Sequence, residues 1–396
     1  MDVRFYVVSN LTDFVVSNLT DFKYPALKIL QISSAQSLGG GERHLADLAN
    51  GLALRGHEVH AALRPNSPLI SELEKIPKEN IITFPLRNAL DAKSARDLSR
   101  LVRKNQIQIV HAHMARDYPL AAYAVRINKD AQLIVTRHVL FPLNRLHRIM
   151  LSKAARIIAV SHAVALRLRE DGTVPAEKIN VVQNGIDDER FGRTKAKFSR
   201  RQFLHSWELP ENSLIIGTVG ELTPLKGQDE FVQAAGRIIK HYPNAYFVIA
   251  GIGSSRENKY RALLEHQIKK LNLTQRVRLV GWFEDIAQLY CALDVFVSAS
   301  HTESFGLAIA EAMASNTAVV ATETAGAREI IRSGETGLLV PVGDIDKLAE
   351  AVLILLREKE KRISIAAAAQ RAVSEQFSLK RMIDETERIY TEALKT

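Results

Sequence analysis

Cysteine occurs once in 396 residues, at Cys291, so no disulfide can form within the chain. That scarcity suits a reducing compartment, and a cytoplasmic protein is the expectation. No apolar run approaches the roughly 20 residues a membrane-spanning helix needs. Met1–Leu11 lacks the basic and apolar regions of a secretory signal, so no export is expected. Aromatic residues are 6% of the chain and do not interleave with basic ones in a stacking pattern, which argues against a nucleic-acid partner. The G-x-G-x-x-G spacing of a dinucleotide loop is also missing.

What is present is the material of an ordinary globular protein, with 46% hydrophobic and 24% charged residues. The length exceeds one core and predicts two domains. Charge is uneven: residues 1–198 carry a net +10 and residues 199–396 a net −1, within a total of +9. The basic half is either a solvated surface or a face that meets an anionic partner, such as a phosphorylated acceptor or a membrane.

VVSNLTDF stands at Val7–Phe14 and again at Val15–Phe22. Two copies of eight residues build no repeat array, so residues 1–26 read as an extension with a tandem duplication. From Leu27–Ser33 onward, short apolar strands alternate with helices: Val59–Leu63, Ile81–Phe84, Ile107–His111, Leu133–Thr136, Ile157–Val160 and Val181–Val182 are strand-like. A charged stretch follows near 195–210, and the rhythm restarts with strands Leu214–Val219, Ala245–Ala250, Val277–Leu279, Val295–Ser298 and Ala318–Ala321. This alternation predicts an α/β chain of two Rossmann-like, doubly wound parallel-sheet domains facing across a cleft. The predicted bounds are 27–195, 209–376, and a helix over 377–396 that crosses back to the first domain.

Glu303 and Glu311 stand eight positions apart, across a predicted strand-to-helix loop. A helix starting near Phe305 would aim free N–H groups at an anion, and Gly306 would let the backbone approach it. Glu311 would lie about 9 Å further along, a span that suits the sugar and ribose flanking a diphosphate. Alone, the pair reads equally as a helix-dipole acid and an unrelated surface glutamate. Gly39–Gly41 opens a helix and is either a phosphate cradle or a tight turn. His111, His113 and His138 raise a metal site, but no matching carboxylate accompanies them, and no metal is expected.

Taken together, these segments resemble glycosyltransferase family 4, retaining enzymes of the GT-B fold. Glu303 to Glu311 resembles its E-x7-E motif; Leu38-Gly39-Gly40-Gly41-Glu42 resembles its first glycine loop. Gly56-His57-Glu58-Val59, His111-Ala112-His113, Thr136-Arg137-His138, Asn184-Gly185-Ile186-Asp187, Lys226-Gly227, Gly251-Ile252-Gly253 and Glu329-Ile330-Ile331 follow in family order. The resemblance implies sugar transfer from a nucleotide diphosphate-sugar, of UDP or GDP type, to a glycan or lipid-linked acceptor in polysaccharide or lipopolysaccharide synthesis. It implies no cofactor and no metal, and catalytic roles for His138, Lys226 and Glu303. Donor binding would fall to Gly40, Gly41, Glu221, Lys226, Gly251, Gly253, Glu303, Ser304, Phe305, Gly306, Leu307 and Glu311.

The chain departs from the family pattern in three places. Glu221 stands where an arginine is usual, Asn316-Thr317 where Gly-Pro is usual, and Ala325-Gly326-Ala327 replaces a double glycine. A carboxylate beside a diphosphate repels it, so either Glu221 turns away, or Arg328 or Arg137 substitutes, or donor binding is weak. That departure keeps open a sugar-nucleotide-binding protein without turnover; nucleotide-sugar 2-epimerases are a further alternative on a sister fold. Phe141–Arg156 interleaves basic and apolar residues, which suits either a core-packed helix or one lying on the inner membrane face.

Overall fold

The computed structural model describes residues 24–142, 145–172, 174–253, 258–281, 283 and 285–395. The duplicated VVSNLTDF segments lie outside them. The chain divides into two compact units, residues 1–185 with 379–396, and residues 186–378.

The first unit holds strands β1 (Lys28–Ser33), β2 (Glu58–Leu63), β3 (Ile81–Thr83), β4 (Ile109–Ala112), β5 (Gln132–Arg137), β6 (Arg156–Ala159) and β7 (Ile179–Val181). All pairings are parallel, in the order β3-β2-β1-β4-β5-β6-β7. Helices α1 (Gly40–Leu54), α2 (Ala92–Lys104), α3 (Tyr118–Ile127), α4 (Arg145–Leu151) and α5 (His162–Glu170) connect them. The central strands are buried throughout and therefore continuously apolar, as parallel strands covered on both faces must be. α4 spans seven residues only, because Arg156 already belongs to β6; the long amphipathic helix expected over Phe141–Arg156 does not form. Leu151 is buried, and Arg148 pairs with Asp171 at 3.3 Å.

The second unit opens with α6 (Asp188–Lys197) and α7 (Arg200–Ser206), which occupy the charged stretch the sequence left without pattern. Arg200 anchors α7: its guanidinium donates to Asp294 at 2.7 Å, and Asp294 also accepts the Ile215 N–H at 2.9 Å. The division therefore falls at Gly185–Ile186 rather than within 195–209. The strands are β8 (Leu214–Val219), β9 (Ala245–Ala250), β10 (Val277–Val280), β11 (Val295–Ser298), β12 (Ala318–Thr322) and β13 (Leu338–Val340), parallel in the order β10-β9-β8-β11-β12-β13. Helices α8 (Gln228–Ile238), α9 (Asn258–Lys270), α10 (Ile286–Ala292), α11 (Leu307–Ala314), α12 (Ala325–Ile330), α13 (Ile345–Arg357) and α14 (Lys359–Gln376) flank this sheet. Asp344, the first acid of a D-x-D, caps α13 by accepting the Lys347 N–H at 2.9 Å.

The last helix, α15 (Leu379–Ala393), belongs to the first unit. Met382, Ile383, Ile389 and Tyr390 join that unit's core, each fully buried apolar side chain contributing about 1.5–3 kcal/mol. A buried polar network fixes its register. Arg55 pairs with Glu387 and, at 2.7 Å, with Asp384; His57 meets Glu387 at 2.7 Å and accepts the Leu27 N–H at 3.0 Å. Among the described residues, no helix is long and apolar enough to cross a membrane.

Candidate functional site

In each sheet the strand order reverses direction at one point, between β1 and β4 and between β8 and β11. Loops leaving the carboxyl ends of such neighbouring strands diverge and leave a crevice, the usual ligand site of open α/β sheets. Most of the candidate residues fall at these two points, while His138 follows β5 and Gly251 and Gly253 follow β9.

In the second unit, the loop after β8 carries Lys226 and the loop after β11 carries Glu303. Their side chains meet at 2.7 Å, although 77 positions separate them. Ser300 donates to the same Glu303 oxygen at 2.8 Å, and the Thr322 hydroxyl holds the Ser300 carbonyl at 2.5 Å. The Gly326 N–H donates to the Glu303 carbonyl at 3.0 Å. The loop is thus braced from β12 and α12. Lys226 is posed by a short helical turn, Pro224–Lys226, that ends on Gly227 at φ +63°. A side chain at Gly227 would meet the Ala299 carbonyl at 2.0 Å, so this turn requires glycine.

α11 begins at Leu307, two residues later than expected, because Gly306 at φ +106° is its N-cap. No side chain caps those N–H groups, so the positive end of the helix stays available to an anion. Ser304 is half-buried beside it. Phe305 points away, its buried ring packing edge-on against Phe377 at 5.6 Å, so only its backbone can serve a ligand. Glu311 lies on α11, buried, and accepts a hydrogen bond from the Tyr290 hydroxyl at 2.8 Å. Tyr290 was illegible in the sequence: it sits on α10, 21 positions away, in no motif.

Gly251 serves packing, since a Cβ there would lie 1.9 Å from the Gly220 carbonyl; Gly253 is exposed. Glu221 is exposed, and its backbone carbonyl accepts from Gln228 at 2.8 Å. Arg328, one candidate substitute for the family arginine, pairs with Glu323 at 2.8 Å. Arg137, the other, is buried in the first unit, where its guanidinium donates to the Phe141 carbonyl. His301 and Glu230, which meet at 2.6 Å, were not singled out by the sequence. Burial pushes the Glu230 carboxyl up, as does neighbouring Asp229.

In the first unit, Gly40 and Gly41 begin α1. The N–H of Gly39 donates to the Glu42 carboxylate at 2.9 Å, so the helix supplies its own anion there. Gly41 faces the His138 ring, which a Cβ would touch at 3.5 Å. His138 follows β5, His111 lies in β4, His113 follows β4, and His44 comes from α1, making a four-imidazole cluster. Burial pushes every one of these imidazoliums down, His44 to about 4. Burial therefore disfavours the charged form of each ring. Among the described residues nothing hydrogen-bonds to either nitrogen of His44.

His44, His113 and His138 present nitrogens within 4.8 Å of one another. That spread is wider than the roughly 3.4 Å between nitrogens of a tetrahedral shell with bonds of 2.0–2.1 Å. His113 Nδ1 and His138 Nε2 lie 3.3 Å apart, close to that spacing. The three imidazoles are thus a candidate metal set whose overall spread is wider than a tetrahedral shell.

Comparison with known proteins follows the same division. Residues 199–372 match the family described as "Glycosyl transferases group 1", and residues 38–190 match "Glycosyltransferase Family 4". The chain is 26% identical over 385 residues to the N-acetyl-alpha-D-glucosaminyl L-malate synthase of Bacillus anthracis, covering 92% of this chain and 97% of that one. It is 25% identical over 381 residues to the UDP-Gal:alpha-D-GlcNAc-diphosphoundecaprenol alpha-1,3-galactosyltransferase of Escherichia coli, covering 92% and 96%. The crystal structure of a glycosyltransferase from Rickettsia africae ESF-5 superposes with a TM-score of 0.83 at 26% identity, over 94% of this chain and all of that one.

Proposed function

The chain belongs to glycosyltransferase family 4, with the GT-B fold and a nucleotide-sugar donor, and from that premise we propose a retaining, metal-independent hexosyl transfer to an anionic glycan, lipid-linked or phosphorylated acceptor. The observation that carries this reading is the contact of Lys226 with Glu303 beside the uncapped N-terminus of α11. A departing nucleoside diphosphate builds negative charge, and an ammonium and preorganised N–H groups stabilise it as it grows. Glu303 would hold sugar hydroxyls and Glu311 the ribose. Both carboxylates are committed to partners, Lys226 and Tyr290, which favours a front-face route in which the leaving phosphate takes the acceptor's proton. His138, on the first unit, is assigned to the reacting sugar.

One relative is named for UDP-galactose, which supports a UDP donor. The names of both relatives contain anions, L-malate and a diphosphate lipid, and the net +10 of residues 1–198 fits such an acceptor. Peripheral contact with the inner membrane face belongs to the lipid-linked form of the proposal only. A second reading, donor binding without turnover, rests on exposed Glu221 where the family has arginine.

The test is release of nucleoside diphosphate from UDP- and GDP-sugars with L-malate or a diphosphate-lipid acceptor, with the product anomer read by NMR. Acceptor-dependent release with the donor's anomeric configuration supports the proposal. An inverted product overturns the retaining mechanism. Binding without release supports the second reading, for which Glu221→Arg should then tighten binding at low salt.

A further inference from the structure

A line of hydrogen bonds runs from the C-terminal helix to the candidate catalytic imidazole. The Gln31 side-chain N–H, on β1, donates to the Tyr390 hydroxyl at 3.3 Å. The Tyr390 oxygen lies 2.6 Å from His111 Nδ1, and His111 Nε2 lies 2.7 Å from the Thr136 hydroxyl. On its other side, Gln31 Oε1 lies 2.8 Å from His113 Nε2. His113 Nδ1 then lies 3.3 Å from His138 Nε2. Gln31 and Tyr390 are fully buried and His113 nearly so, while His138, at the end of the line, is half-buried.

The proton positions follow from the chemistry of each group. An amide oxygen only accepts, so His113 must carry its proton on Nε2. A neutral imidazole has one N–H, which leaves His113 Nδ1 as a bare lone pair. It can then bond only to a protonated His138 Nε2, and His138 Nδ1 is the basic nitrogen. Tyr390, having accepted from Gln31, can give its own proton to His111 Nδ1 or accept from it, since a phenol oxygen has two lone pairs. Turning the Gln31 amide over would reverse the bonds from Tyr390 through Gln31 and His113 to His138 together, so this branch has two consistent directions. Tyr390 joins its two branches.

We propose that Tyr390, through Gln31 and His113, is coupled to the tautomer of His138, so that holding the Gln31 amide in one orientation holds one tautomer, and that Tyr390 is thereby a positioning residue for the transfer reaction. The catalytic half of this inference rests on the role proposed above for His138; the tautomer half does not. Tyr390 does so from α15, 252 positions beyond His138 in sequence. The helix that closes the chain thereby sets the chemistry of a residue at the end of β5.

The experiment uses the full chain with 15N-labelled histidine, read by long-range 1H–15N NMR, with His138 assigned through His138→Gln. The wild type is expected to show His138 in a single tautomer. Tyr390→Phe should shift His138 toward a mixture of tautomers, and kcat should fall about tenfold with the donor KM within twofold. Glu387→Gln supplies the control: it loosens the same helix through Arg55 and His57 but lies off the line, so it should lower stability and leave the His138 signals in place. Unchanged His138 signals in Tyr390→Phe, or equal changes in Glu387→Gln, would overturn the proposal. A wild type that transfers no sugar would remove the proposed function, while the NMR result would still decide the relay.

Discussion

At the scale of single residues, the motif acids and bases were legible because they occur at fixed offsets from a strand end or a glycine. Their partners were not. Tyr290 reaches Glu311 only through the packing of α10 on α11, while Ser300 reaches Glu303 within the loop after β11 but stands in no motif. A hydrogen bond to a charged group contributes roughly 1.5–3 kcal/mol, so these partners shape the site as much as the motif residues do. Tyr290→Phe is expected to raise the Kd for the nucleotide at least threefold, because Glu311 loses the hydroxyl that orients it. Calorimetric titration with the matching nucleoside diphosphate measures this, and an unchanged Kd would detach Glu311 from nucleotide binding.

At the scale of elements, strand positions were read well because buried parallel strands are short, apolar and bounded by loops. Two departures have conformational causes. α11 starts at Leu307 because Gly306 adopts a backbone that only glycine takes easily. Asn316 stands where the family has glycine, and it sits at φ +57° just past the end of the same helix. The N–H of Asn316 bonds to the Met313 carbonyl and that of Thr317 to the Ala312 carbonyl, at 3.0 and 3.1 Å, a Schellman closure. Asparagine is the residue that best replaces glycine in this conformation, so the family turn survives the substitution. Asn316→Gly should therefore leave Tm within about 2 °C. Gly227→Ala should behave differently, since its Cβ would strike the Ala299 carbonyl. Strain of this kind costs about 1–3 kcal/mol, and Tm should fall by several degrees, with donor affinity lost as Lys226 moves. Thermal unfolding of the two variants side by side checks both; an unaffected Gly227→Ala would show that the turn is not what poses Lys226. The failed expectation over Phe141–Arg156 teaches the converse, for an amphipathic pattern continued straight across a helix end and into β6.

At the scale of the whole molecule, ionisable strain is unevenly shared. His44, His111, His113 and His138 all lie in the first unit, with imidazoliums held below the ordinary 6.5 by burial. The unfolded chain takes up protons the folded one refuses, so their contribution is full above pH 6.5 and is lost as pH falls toward 4. Asp117, raised by burial to about 6, and Glu42, also raised by burial, run the other way through part of that window, but they are two groups against four. Each imidazole contributes at most about 1.4 kcal/mol per pH unit. Both tryptophans, Trp207 and Trp282, stand in the second unit. Between pH 7.5 and 5, circular dichroism should therefore report urea unfolding at lower denaturant than tryptophan fluorescence does, and coincident transitions would contradict this. The assembled account rests on one claim above the others, that the second unit binds a nucleotide diphosphate-sugar through Lys226 and the N-terminus of α11. Thermal shift with a panel of UDP-, GDP- and ADP-sugars, on the wild type and on Lys226→Ala, tests it most directly. Ligand at 100 times Kd stabilises by about 2.7 kcal/mol, enough to raise Tm by several degrees. The account predicts such a rise with at least one of these sugars in the wild type and its loss in Lys226→Ala; no rise with any of them, or an equal rise in both proteins, would contradict it.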